Sequence, residues 1–363
     1  MTLYLMLGNS AVDLVFHSTH YTEKPDVRAW LEANDGLVKT IGKHEVIKPD
    51  IGVLRSIRNS RLHARALWAT DVGRGPLQSV GRTFNYVSLT DVKTGAVNQF
   101  PILFDASTEI LTAEDVEALT QYVEQGGIFV ALNNTGIHSE KEADAWPISR
   151  LTGVKPVAIV DNDPTAKITF SEDQKIWPSL ANQQLPGTGS ILDWMGENLV
   201  GNSLVLEAET DGIQAIATWT GNESVSGKIA IAQRSLGKGQ VITLGSTFWR
   251  KTKDRDGRMA EQDQTCQLYL DELLNALGAS RQSWVTGSDA AEEVFAERWK
   301  SKNGLYDLYL LARINTNARK PATTINAQWQ SEDSKPWLKE ISMTDAPDKP
   351  FSHQTGKLAV ENV

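Results

Sequence analysis

Residues 100–136, FPILFDASTEILTAEDVEALTQYVEQGGIFVALNNTG, constrain the fold more tightly than any other stretch of this 363-residue chain. The order of features is strand, loop, helix, glycine turn, strand. Thr112 stands where a helix N-cap belongs, and Asp115 three residues on completes the spacing of a capping box. Val116, Leu119 and Val123 form one apolar stripe at helical spacing. Gly126 and Gly127 supply the backbone freedom that ends a helix. The apolar run IFVAL at 128–132 then suits a strand in a sheet interior. Two strands joined by such a helix make a βαβ unit, and therefore a parallel sheet.

The peptide after the second strand is where folds of this kind carry a nucleophile. Here it reads Asn133, Asn134, Thr135, Gly136, with no Cys and no Ser before Ser139. A nucleophile elbow needs an activated Cys or Ser on the turn with a base beside it. Thr135 is the one hydroxyl there, and a divergent hydrolase built on it is a third and last reading of function. The preferred expectation is an enzyme-like fold without its chemistry, with no catalytic residue in this chain.

A chain of this length is expected to hold two or three domains. Its formal charge of −9 and pI near 5.3 argue against general nucleic-acid binding. Eleven Trp residues imply an aromatic core, or alternatively a Trp-lined surface that meets carbohydrate. The single cysteine, Cys266, excludes an internal disulfide or a cysteine-based zinc cluster. It lies in a helical run, 264–277, beside Leu268, Leu270 and Leu273, where a buried and inert thiol is expected. Residues 1–7 lack the charged start and cleavage site of a signal peptide, and no apolar run approaches a membrane span. The expected location is the cytoplasm, with no membrane and no cofactor involved.

Elsewhere the pattern is less compressed. Residues 1–7 read as the last turns of a buried helix, 11–16 as a short strand, and 25–41 as an amphipathic helix opened by Pro25. DIGVLRS at 50–56 is the first strand of the α/β region. After Val154 the chain turns β-rich, with strands expected at 167–170, 203–207, 214–219, 228–232 and 240–244. From Trp284 strands dominate again, at 294–299, 305–314 and 323–329, with Asn303-Gly304 as a hairpin signal. Residues 357–363 start an extended segment and stop without a partner. Because both ends look cut, a fragment of a longer protein is expected.

Three motifs invite a sharper reading and fall short of it. Gly237-Lys238-Gly239 lacks Walker spacing and precedes a strand, so a tight hairpin is expected. DNDPTAKITFSE at 161–172 places oxygen ligands at several EF-hand positions. However, Ala166 stands where glycine is required and no helices flank it, so a loop entering a strand is expected. Arg250, Lys251, Lys253, Arg255 and Arg258, diluted by Asp254 and Asp256, read as a solvated loop.

AVDLVFHSTHY at 11–21 followed by PDVRAWLEAN at 25–34 resembles the last strand and helix of a glycoside hydrolase (β/α)8 barrel. LTAEDVEALTQYVEQGG and LGKGQVITLGSTFW resemble the class I glutamine-amidotransferase-like domain of family 42 β-galactosidases, which serves there in trimerisation. The C-terminal strands resemble the small β domain that ends those enzymes. The resemblance implies three parts: 1–48 as a barrel remnant, 49–280 as a flavodoxin-like, amidotransferase-like parallel-sheet domain, and 281–363 as a partial antiparallel β-sandwich. It also implies a homo-oligomer, a trimer by analogy, that meets a carbohydrate substrate through the parent enzyme.

A retaining glycosidase needs two carboxylates about 5 Å apart on barrel strands. In the family these sit on strands four and seven, which would precede Met1, so no residue here takes their place. Glu109, Glu114 and Glu117 flank or lie on the helix capped by Thr112, and are expected to form its solvated face. His17, His20 and Tyr21 would lie at the catalytic face of the last barrel strand, and are the candidate sugar-lining residues; an ordinary polar loop is the alternative. A metal at His17 and His20 lacks a third ligand. The functional expectation is the C-terminal portion of a β-galactosidase-like glycoside hydrolase. Its competitor is a stand-alone carbohydrate-binding or scaffold protein.

Overall fold

The computed structural model describes residues 42–46, 49–62, 77, 82, 84–105, 108–161, 163, 165–188, 202–249, 264–279, 283–286, 294–303, 307–313, 324–329, 351–354 and 357–361, with Ala29 placed in a helix. The chain divides into two compact units. One is Pro49–Ser280, and the other joins Met1–Lys48 to Arg281–Val363. The latter begins, among the described strands, with β1 (His44–Val46).

The Pro49–Ser280 unit is built on an eleven-stranded mixed sheet. Its first half runs β2 (Ile51–Leu54), α1 (Ile57–Leu62), β3 (Phe84–Val87), α2 (Leu89–Lys93), β4 (Ile102–Asp105), α3 (Ala113–Glu124) and β5 (Ile128–Leu132). The chain then passes through α4 (Ser149–Thr152), β6 (Val154–Asp161), β7 (Lys167–Phe170), β8 (Gln184–Pro186), β9 (Asn202–Ala208), β10 (Ile213–Thr220) and β11 (Ile229–Leu236). It returns through β12 (Gly239–Leu244) and ends on α5 (Gln264–Ala276). The parallel strands lie in the order β3-β2-β4-β5-β12, which in order of appearance is 2-1-3-4-5. This is a flavodoxin-like doubly wound order, as the resemblance implies, and it contains the parallel βαβ unit that the pattern predicts. Beyond β12 the sheet continues antiparallel through β11, β10, β7 and β8, while β6 pairs with β9 off this path.

Both faces of the parallel strands are covered, so alternate residues enter different cores. Phe129 and Ala131 of β5 face a cluster with Val116, Leu119, Tyr122 and Val123 of α3. Val130 and Leu132 face the other, larger cluster, which holds Leu270, Leu273 and Leu274 of α5. Trp177 and Trp219 are fully buried in that cluster, with Trp249 nearby. Phe170, Trp177 and Phe248 meet there edge to face at 5.3–5.8 Å between ring centroids. For these Trp residues the core reading holds.

The helix α3 forms as its sequence dictates. Thr112 Oγ1 accepts from the Asp115 N–H at 3.0 Å, and Asp115 Oδ2 accepts from the Thr112 N–H at 2.9 Å. At its far end Gly126 takes φ 120°. Gly127 leaves room for the Tyr122 ring, whose hydroxyl donates to the Phe100 carbonyl at 2.8 Å. The Gly237-Lys238 turn joins β11 to β12 as a two-residue hairpin, with Leu236 opposite Gly239 and Gly237 at φ 58°. Residues 161–172 likewise lead from β6 into β7, as the sequence suggested for this loop.

In the other unit β1 pairs antiparallel with β14 (Val294–Ser301), which pairs in turn with β15 (Asp307–Arg313). The Asn303 signal falls in the connection between the latter two. A second sheet has the order β13-β16-β18-β17, from β13 (Ser283–Thr286), β16 (Thr324–Trp329), β17 (Phe351–Gln354) and β18 (Lys357–Glu361). This corrects one expectation. The C-terminal extended segment has partners on both sides, because β18 lies between β16 and β17.

Candidate functional site

In open α/β sheets, ligands bind outside the carboxyl ends of the strands, where the order reverses. Here that edge is formed by the loops that follow β2, β4 and β5. Asp105 ends β4 with no exposed surface. The Thr108 N–H donates to both of its carboxylate oxygens, at 3.2 and 3.0 Å. Thr135 Oγ1 donates to Asp105 Oδ2 at 2.6 Å and accepts from the Leu132 N–H at 2.8 Å. Burial pushes the Asp105 carboxyl up, against the lowering effect of the Thr135 and Thr108 hydrogen bonds.

The turn after β5 is held tightly. The Gly136 N–H donates to the Thr108 carbonyl at 2.7 Å. Gly136 takes φ 60°, and an added Cβ would come within 2.6 Å of Ile148 Cβ. A left-handed, crowded position of this kind requires glycine. Asn133 and Asn134 are buried at the tip, each 7% exposed.

This geometry settles what the Thr135 hydroxyl does. It is only 2% exposed, its proton points at a buried carboxylate, and one lone pair is taken by the Leu132 N–H. Thr135 therefore ties the loop after β5 to the loop after β4. Among the described residues, no group of three or more His, Cys, Asp or Glu side chains converges as a metal site. The Asp163 carboxylate in the EF-hand-like segment accepts from Thr165 and Asn222.

Asp115 is the other buried carboxylate at this end. It takes Arg58 at 3.0 Å and Lys93 at 2.8 Å besides its own cap. Burial raises its pKa, yet Lys93, Thr112 and Arg58 together hold it below the usual carboxylate range. Glu114 and Glu117 are exposed on α3, as the solvated-face reading expects, and Glu114 lies 3.4 Å from Lys93.

The candidate sugar-lining residues His17, His20 and Tyr21 lie outside the described residues, as do the 250–258 basic cluster and the Cys266 side chain. One feature that sequence reasoning missed is a cleft of about 480 Å³ beside α4, walled by Trp146, Ser149, Arg150, Lys155 and Glu209. Its residues come from the loop before α4, from α4 itself, from β6 and from the turn after β9, and no sequence motif links them. No described helix is long and apolar enough to cross a membrane.

No family model matches the sequence, and no curated protein matches it. Solved structures do. The cold-adapted β-galactosidase from Rahnella sp. R3 is 15% identical with a TM-score of 0.57, over 84% of this chain and 40% of that one. The GH42 β-galactosidase Gan42B of G. stearothermophilus is 12% identical with a TM-score of 0.56, over 84% and 39%. The β-galactosidase from Bacillus circulans sp. alkalophilus is 13% identical with a TM-score of 0.56, over 91% and 43%. At these identities the likeness is one of fold. Over most of its length the chain has the architecture of family 42 β-galactosidases, and it spans about two fifths of the enzymes it matches.

Proposed function

We infer that this chain is the C-terminal portion of a β-galactosidase-like glycoside hydrolase. In this reading Pro49–Ser280 is an assembly domain that helps wall an active site and performs no catalysis of its own. The observation that carries it is the asymmetry of coverage. At least 84% of this chain aligns, yet no more than 43% of each of the three β-galactosidases does. The closed Asp105–Thr135 turn supports the second half of the reading, since the position that bears a nucleophile in related folds is here locked by hydrogen bonds. The chain would be cytoplasmic and would form a homo-oligomer, a trimer by analogy, with an interface well above about 1,000 Å².

Sedimentation equilibrium of the protein tests the assembly role. A mass of three protomers is expected, and a monomer at micromolar concentration contradicts it. A galactoside hydrolysis assay on the same sample should show no turnover, and turnover abolished by Thr135→Val would overturn the reading of that turn. The competing reading, a stand-alone carbohydrate-binding or scaffold protein, is favoured by one observation, the cleft beside α4.

A further inference from the structure

Strand β6 has a strand neighbour on one side. Its register with β9 runs from Val154 opposite Ala208 to Asp161 opposite Asn202, and no other strand among the described residues pairs with it. In an antiparallel pair alternate residues turn their N–H and C=O groups away from the neighbour. Outside the β6–β9 ladder, no backbone hydrogen bond among the described residues involves 155–161. One edge of β6 is therefore open.

Proteins guard such edges with charge, proline or a bulge. Here the guards stop early. Lys155 lies 3.3 Å from Glu209, Pro156 removes one donor, and Val157 falls at the shift in register. From Val157 to Val160 the strand is wholly apolar, and Val157 and Ile159 are 43% and 59% exposed.

The surroundings of this edge select its occupant. Lys155 and Pro156 also line the cleft beside α4, which places the cleft at the amino-terminal end of the open edge. Its charged lining is Arg150, Lys155 and Glu209. Lys155 and Glu209 compensate each other, whereas Arg150 is exposed and has no carboxylate partner among the described residues. Glu140 and Asp144, in the loop before α4, lie near Arg58 and His138 instead. The cleft thus holds one uncompensated guanidinium beside apolar walls that include Val116, Pro147 and Pro156.

A strand added to β6 in the antiparallel sense runs toward Lys155 and finishes at this cleft. Its carboxyl terminus then meets Arg150, whose planar fork of donors matches a carboxylate. The parallel sense would bring a positive amino terminus to the same guanidinium. We propose that the β6 edge docks the C-terminal segment of a partner polypeptide, extended and apolar at alternate positions, with its terminal carboxylate on Arg150. Main-chain hydrogen bonds to 157–160 supply affinity, and Val157 and Ile159 supply apolar contact. The inference stands on this edge and cleft and does not rest on the proposed parent enzyme.

The test is a titration of the full chain with the peptide acetyl-Thr-Val-Thr-Val as the free acid, and in parallel as the C-terminal amide. Calorimetry reads the affinity, and hydrogen exchange of the β6 amides reads the location. The acid should bind with a Kd of about 0.1–1 mM and slow exchange at 157–161. The amide should bind about tenfold more weakly, because it cannot form the ion pair. Arg150→Ala, at an exposed side chain, should weaken the acid about tenfold and leave the amide unchanged. Ile159→Lys, also exposed, should weaken both. Absence of saturable binding overturns the proposal, and so does protection away from β6 or equal affinity for acid and amide. Protection of the β6 amides that grows with protein concentration in the absence of peptide assigns the edge to a second copy of this chain, and overturns it as well.

Discussion

Replacing Thr135 by Val tests the reading of the β5 turn through stability, independently of any activity. Val keeps the shape of Thr and deletes the hydroxyl. Two buried partners then lose a hydrogen bond: the Leu132 N–H, which donated to Oγ1 at 2.8 Å, and Asp105 Oδ2, which accepted from it at 2.6 Å. A buried group left unsatisfied costs about 1–3 kcal/mol. The Asp105 carboxyl is already pushed up by burial and keeps the Thr108 N–H, so it can bind a proton and escape part of that cost. We therefore expect a loss of about 2–4 kcal/mol. For a unit of this size, that lowers the thermal midpoint by about 4–16 °C. Thr135→Ser restores the hydroxyl and removes only a methyl group, so it should fall by about 1 kcal/mol. Calorimetry with urea unfolding measures both variants. If Thr135→Val matches the wild-type protein within about 0.5 kcal/mol, the hydroxyl does not clamp these loops and the argument fails.

Four further outcomes follow from the same geometry. Thr112→Ala should cost about 1 kcal/mol in urea unfolding through loss of the α3 cap. Asp115→Ala should cost more, since Arg58 and Lys93 lose their buried partner as well. Because the folded Asp115 pKa lies below its unfolded value, its stabilisation is present above the unfolded pKa and is lost as pH falls through the folded one. The stability gap between wild type and Asp115→Asn, followed by unfolding at successive pH values, should therefore be largest near neutrality and close in acid. Gly127→Ala should destabilise by about 1–3 kcal/mol in thermal unfolding, because the new methyl enters the space of the Tyr122 ring.

What was legible in the sequence was what is local. The α3 cap, its apolar stripe and its closing glycines lie within sixteen consecutive residues, 112–127, and each has a physical effect that acts at that range. The β11–β12 hairpin is likewise written in Gly237-Lys238-Gly239. Pairings between distant segments were not legible. Strand β6, which contains Pro156, was not among the expected strands, yet it forms beside β9 with a register shift next to the proline. The Asp105–Thr135 bond joins residues thirty apart, and buried Arg82 reaches Asp271 at 2.7 Å across 189 positions. The partner of the C-terminal strand was missed for the same reason. The cleft was invisible because its wall joins residues far apart in sequence, from Ala113 to Glu209.

The central claim, that this chain is one part of a glycosidase, is tested most directly by reading the coding frame upstream of Met1. The account predicts an open frame of roughly 250–400 codons encoding barrel units with two strand-end glutamates. An in-frame stop with a ribosome-binding site immediately before Met1 would contradict it.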